Sequence, residues 1–318
     1  MSVSLSPEQA APLHRRLFTD FCRVEMAAGG PDPQVRLTGV AIQSHPRYLP
    51  ELAGLFVVPY SCAGAAILWR LSERKHPAEW LPWLQQHGST IPVRKERRPV
   101  KGSWPRFTDC AVSWYQWCEA HRTDEMLHRP YRDVYTSVTK EVKYFGRYAT
   151  MKLLETMYQA GLMSSAQDTM VPRDGKFPRR TMALLMPEHS EMLTAKGPGN
   201  EVEIDKLCDR IRQSTSDRIG QEITWFQIET MLCIYRQSLS GKYPAGRHDS
   251  ELGHWVRTMA QLPAALQMEL QEQFPFNRLR KELYPVEYLG EFNFPGWEGI
   301  RPELEEKRLE ELRAVGIV

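Results

Sequence analysis

Apolar residues along this chain recur mostly every three or four positions, the spacing of one face of an α-helix, and seldom alternate as a half-buried strand requires. The clearest run covers residues 140–160, where Val142, Phe145, Ala149, Leu153, Thr156 and Ala160 share a face and Gly161 offers a C-terminal cap. A second run covers 224–239, with Ile228, Leu232, Tyr235 and Leu239 on one side and Gly241 behind it. It is apolar nearly all round, which predicts a central position. Helices are also predicted over 8–26, 49–71, 108–121, 202–213 and 248–258. A charged helix is predicted over 302–314, where Glu303, Glu306 and Glu310 stand against Lys307, Arg308 and Arg313 as a solvated face or docking arm.

Only residues 36–42 alternate like a strand, and 56–58 form a short β-prone run inside a helical context. The expected fold is therefore mainly α: a compact multi-helix body with long Pro/Gly-rich basic loops, and not a parallel α/β sheet. Proline and glycine interrupt the helical pattern over 91–105 and 171–200. Connections of that length inside a compact domain tend to carry function, so both are first places to look for substrate contact. The expected segments are an N-terminal helical part (1–44), a helical core (45–285) and a charged helical tail (286–318).

Composition narrows the class only partly. With 318 residues, 42% of them hydrophobic, the chain can bury a substantial core. Its 41 basic and 39 acidic residues leave a net charge of +2, so the placement of charge matters more than its sum. No stretch approaches the roughly 20 apolar residues needed to span a bilayer, and residues 1–10 lack the order of a signal peptide, so a cytoplasmic protein is expected. Six cysteines (Cys22, Cys62, Cys110, Cys118, Cys208 and Cys233) form no CxxC pair and read as reduced core residues. Five of the nine tryptophans fall between Trp69 and Trp114, where they either fill a core or stack on bases.

Several clusters bear chemistry. In the first long loop Arg94, Lys95, Arg97, Arg98, Lys101 and Arg106 set six cations against Glu96. Guanidinium forks bind phosphate oxygens in pairs and cations displace condensed counterions, so such a cluster suits nucleic acid or pyrophosphate; a solvated basic loop is the bland alternative. Arg173, Lys176, Arg179 and Arg180 add a second cationic stretch. Gly146 sits mid-way through the run at 140–160, where glycine costs roughly 1 kcal/mol relative to alanine, which close approach of a backbone or ligand would explain. Its neighbour Arg147 could hold a phosphate or pair with Glu155. Glu229 lies in the most apolar helix, on a face with Cys233 and Arg236, either ion-paired or tuned by desolvation for proton transfer. A turn-rich stretch then brings His248 and Asp249, the latter also a natural helix N-cap. There is no P-loop, dinucleotide fingerprint, HExxH, deaminase zinc spacing or nucleophile elbow.

The order of these features resembles that of the phage amino acid:DNA transferases, also called α-glutamyl/putrescinyl thymine pyrophosphorylases. The resembling pieces begin with residues 54–69 around Tyr60, then Glu96-Arg97-Arg98, then Gly146-Arg147-Tyr148 continuing to Lys152-Leu153-Leu154-Glu155. They end with residues 229–236, Gly241-Lys242-Tyr243 and Gly246-Arg247-His248-Asp249. The resemblance implies an enzyme of phage-infected bacterial cytoplasm. It would act on double-stranded DNA whose thymine has become pyrophosphorylated 5-hydroxymethyluracil, replacing pyrophosphate with the amine of an amino acid or polyamine.

That reaction asks for cations at the leaving pyrophosphate, or a divalent metal such as Mg2+, and for a carboxylate or histidine to take the amine's proton. On this scheme Arg97, Arg98, Lys101, Arg147 and Tyr60 are expected at the substrate and its phosphates. Glu229, His248 and Asp249 are expected in proton transfer or metal binding. Arg94, Lys95, Arg106, Arg173, Lys176, Arg179 and Arg180 are expected on DNA. The competing expectations are a non-catalytic DNA-binding protein, which would be indifferent to base modification, and a glycosylase-like enzyme releasing modified bases.

Overall fold

The computed structural model describes residues 6–32, 104–121, 123–169, 175–195 and 200–239, with isolated helical positions at Val35, Arg36, Gly39, Glu79 and Pro82. Among these residues there is no strand, and the fold is mainly α. The helices are α1 (Pro7–Ala27), α2 (Trp104–Ala120), α3 (Thr123–Met126), α4 (Tyr131–Glu141), α5 (Arg147–Gln159), α6 (Lys176–Leu185), α7 (Ser190–Thr194), α8 (Glu201–Ile219) and α9 (Trp225–Leu239). A 3-10 turn, Pro187–His189, precedes α7. The helices expected over 49–71, 248–258 and 302–314, and the β-prone 56–58, lie outside the described residues.

The described helices fall into two compact units. One unit gathers α1 with α6 to α9. Its α1 is opened by a capping box, with Gln9 N donating to Ser6 Oγ at 3.3 Å and Ser6 N donating to the Gln9 side chain at 2.9 Å. The helix α8 ends at Gly220, whose φ of 71° is the left-handed cap that glycine adopts without strain. A reciprocal pair between Thr224 and Gln227 then starts α9.

The helix α9 is central, as its all-round apolar character predicts. Its Ile228, Met231, Leu232 and Tyr235 are fully buried against Phe18, Phe21 and Cys22 of α1, Met182 and Leu185 of α6, and Leu207, Cys208 and Ile211 of α8. Each such aliphatic or aromatic side chain contributes about 1.5–3 kcal/mol by leaving water.

The other unit holds α2 to α5. Every apolar position predicted on one face of 140–160 is buried: Val142, Phe145, Ala149, Leu153, Thr156 and Ala160. The continuous helix predicted there is not formed. α4 stops at Glu141, residues 142–146 turn, and α5 begins at Arg147. Burying Val142 and Phe145 on either side of the turn keeps the apolar face continuous while the backbone breaks, so periodicity alone reports a single helix. Beyond α5, Gly161 has φ 71° and Leu162 N donates to Met157 O at 2.9 Å, the expected glycine stop.

Two further expectations change. Val35, Arg36 and Gly39 are helical, not part of a strand. A Cβ at Gly39 would stand 2.6 Å from Gln159 Cβ and 3.0 Å from its carbonyl carbon, so glycine there permits close packing on the end of α5. The stretch 171–200, read as a long loop, contains α6 and α7.

Candidate functional site

Within the second unit, a seam of side chains on α2 secures the end of α4 and the turn that follows. Asp109, Ser113, Trp117 and His121 are spaced by four, so a helix places them along one face. His121 Nε2 lies 2.6 Å from Glu141 Oε2. Trp117 Nε1 donates to Ser137 Oγ at 2.9 Å, and Ser137 Oγ donates to Glu141 Oε1 at 2.7 Å. Ser113 Oγ donates to the Glu141 carbonyl at 3.3 Å and accepts from Lys143 N at 2.9 Å. Tyr144 Oη reaches Asp109 Oδ2 at 3.5 Å. Bonding to Ser137 and to His121 holds the Glu141 carboxyl below its ordinary value, with the charges of His121 and Lys140 adding to the effect and desolvation opposing it.

The turn so held combines buried anchors with exposed functional groups. Phe145 is buried against Trp114, their ring centroids 6.2 Å apart and nearly parallel, and Trp114 in turn stacks on Trp117 at 5.0 Å. Between them Tyr144 takes φ 64° and leaves its side chain 45% exposed. Tyr148, in the first turn of α5, is 46% exposed, and Lys143 is exposed too. Gly146 is the N-cap of α5, with no side-chain cap, and a Cβ there would meet nothing within 4 Å. The close approach expected to explain this glycine is thus absent among the described residues; Gly146 lies outside the helix interior and incurs no interior penalty.

Arg147 follows as the first residue of α5, half-buried, with Nη1 shielded from solvent. In sequence Arg147 follows exposed Lys143 and Tyr144 and precedes exposed Tyr148, in the first turn of α5. Glu155 receives Lys152 Nζ at 2.7 Å in an ion pair in which both side chains are at most 5% exposed.

Glu229 belongs to the other unit. It is buried in α9, near Cys208 of α8, whose thiol is raised well above its ordinary value first by burial and then by the charges of Asp205, Glu229 and Asp209, with Arg212 opposing. Arg212 holds Asp209 at 2.8–2.9 Å and donates to the Ile223 carbonyl at 3.0 Å. Both Glu229 and Arg212 thus act on the Cys208 thiol, while Arg236 is exposed.

In the same unit Arg179 is buried. Its Nε donates to Leu193 O at 2.8 Å and its Nη2 to Met192 O at 2.9 Å and Ala195 O at 3.0 Å, closing the C-terminal end of α7. Grouping it with surface cations on DNA is corrected by this burial. Its neighbours Lys176 and Arg180, one turn apart on α6, are exposed.

Arg106 lies in α2. Tyr60, Arg94, Lys95, Arg97, Arg98, Lys101, Arg173, His248 and Asp249 lie outside the described residues. Sequence reasoning passed over His121, Glu141, Lys143 and Tyr144. The signal available was the run of polar and aromatic side chains every four residues along α2, which marks a helix face bonded to another element.

Residues 59–243 match the family described as amino acid:DNA transferase. The chain belongs to that family. The matched span takes in Arg147 and Glu229, whereas His248 and Asp249 fall beyond it. Neither the curated proteins nor the solved structures gave a match. The protein is therefore a transferase whose acceptor is DNA. Among the described residues of this transferase no helix is long and apolar enough to cross a membrane, and no group of three or more His, Cys, Asp or Glu could hold a metal ion.

Proposed function

We propose that this transferase joins the amine of an amino acid or polyamine to pyrophosphorylated 5-hydroxymethyluracil in double-stranded DNA, with release of pyrophosphate, in the cytoplasm of a phage-infected bacterium. The observation that supports this reading is Arg147, inside the family-matched span, at the uncapped N-terminus of α5 beside exposed Lys143. The amine nitrogen attacks the exocyclic methylene carbon, the C–O bond to pyrophosphate breaks, and its electron pair leaves with the pyrophosphate. The amine's proton passes to a carboxylate or imidazole, for which Glu229, His248 and Asp249 are the candidates. Arg147 neutralises the charge growing on the leaving group, with Arg97, Arg98 and Lys101 as its partners from the basic loop and Tyr60 beside the substrate. The remaining cations, Arg94, Lys95, Arg106, Arg173, Lys176 and Arg180, are assigned to the DNA backbone. A divalent metal such as Mg2+ is a second source of positive charge for the leaving group, and sensitivity of the reaction to a chelator reads its contribution.

The test is transfer of labelled glycine or putrescine to pyrophosphorylated DNA, followed by mass spectrometry of the nucleosides. Arg147→Ala is expected to lower the transfer rate about 100-fold, the scale of removing one donor from a developing anion, with folding intact. Full activity in that variant rejects the assignment of Arg147. Full activity in Glu229→Gln removes Glu229 from the candidates for proton transfer.

A further inference from the structure

The turn between α4 and α5 contains the one non-glycine residue with positive φ among the described residues, Tyr144. A bulky side chain in that region is uncommon, because its Cβ crowds the backbone, and glycine or asparagine would meet the turn's needs with less strain. The conformation is kept because Val142 and Phe145 are buried on both sides, Lys143 N is tied to Ser113, and Gly146 N donates to Tyr144 O at 2.9 Å. The result is an aromatic ring delivered to the surface, not to the core. Strain maintained by its surroundings and spent on exposing a large ring points to a use for that ring. Four residues on, Tyr148 repeats the exposure, and Lys143 and Arg147 alternate with the two phenols in sequence.

We propose that Tyr144 and Tyr148 form a stacking surface for an unpaired base of DNA, with Lys143 and Arg147 placed for the phosphates on either side of it. The assignment rests on DNA being the acceptor and adds the residues that receive a base once it has left the duplex. Every base offers a flat π face, so stacking on phenol rings is tolerant of sequence, and flanking cations supply the complementary charge. Tyrosine suits this use because it presents a rigid ring with few rotatable bonds to immobilise.

Binding of a single-stranded oligonucleotide carrying 2-aminopurine, followed by anisotropy and by base fluorescence, tests the surface on the full chain. Tyr148→Ala and Tyr144→Gly are each expected to weaken binding about fivefold to a hundredfold and to reduce the quenching of 2-aminopurine. Tyr144→Phe and Tyr148→Phe are expected to bind like the unaltered protein. Because glycine accepts positive φ, Tyr144→Gly should unfold no earlier than the parent, which separates lost stacking from lost folding. Binding and quenching unchanged in both truncated variants overturns the proposal. An equal loss in the phenylalanine variants also overturns it, by assigning the effect to the hydroxyl. An unaltered protein that binds no DNA overturns both this and the transferase reading. Should amine transfer be missing while the tyrosine pattern holds, the proposed substrate chemistry fails and the stacking surface stands.

Discussion

His121, just past α2, places its Nε2 2.6 Å from Glu141 Oε2, and this contact joins the end of α2 to the last residue of α4, immediately before the turn that presents Lys143 and Tyr144. The carboxylate is also bonded by Ser137, so two side chains fix its orientation. Because the folded-state pKa of Glu141 is lowered, the stability it contributes is present above the ordinary carboxylate value of about 4.3 and is lost as pH falls through the lower folded value. Glu141→Gln should therefore flatten the acid limb of a stability–pH curve measured by urea unfolding. At neutral pH it should cost no more than about 1 kcal/mol, since the side chain is half exposed.

The buried pair Lys152–Glu155 behaves differently. Removing one partner takes the carboxylate counter-charge from a buried ammonium, so Glu155→Ala should destabilise by about 3–5 kcal/mol. Replacing both with methionine removes the two charges together and should recover most of that loss. Chemical denaturation of the single and double variants checks both statements, and a double variant as unstable as Glu155→Ala would contradict them.

Adjacent arginines on α6 should separate cleanly. Arg179→Ala leaves three carbonyls at the end of α7 without their guanidinium and should cost about 2–4 kcal/mol. Arg180→Ala and Lys176→Ala should leave stability within about 0.5 kcal/mol. If these two touch DNA, each should make the dependence of log binding constant on log salt shallower by about 0.9. Thermal unfolding and a salt titration of DNA binding distinguish the roles.

Burial raises the thiols of Cys22, Cys110 and Cys208, with nearby carboxylates adding to the effect. The thiolate is the reactive form, so these three should resist a disulfide-exchange reagent near neutral pH until the protein unfolds. Peptide mapping after brief labelling of the native protein should find them unmodified, and rapid labelling of Cys208 in particular would show that the packing between α8 and α9 opens.

Much of this architecture was legible from spacing alone. The apolar stripe from Val142 to Ala160, the central position of 224–239 and the glycine stop at Gly161 all follow from local sequence, because burial of one face and the freedom of glycine at positive φ act over a few residues. The order of residues from Gly54 to Asp249 pointed to the transferase family, and the match over 59–243 agrees with it. Local pattern was silent on the break at residues 142–146, where the same apolar stripe serves one helix or two. That break is settled by Ser113, Trp114 and His121, side chains on or just after α2 whose partners lie 20 or more residues downstream.

The difference between Arg179 and Arg180 has the same origin. In sequence they are equivalent cations, and only the approach of α7's carbonyls turns one into an internal clamp while the other stays in water. Sequence by itself determined which residues prefer to leave water and where the backbone bends freely, since those are properties of single residues and near neighbours. Tertiary structure decided which polar groups are satisfied inside and which remain to meet a ligand, because a hydrogen bond depends on where a distant partner comes to rest.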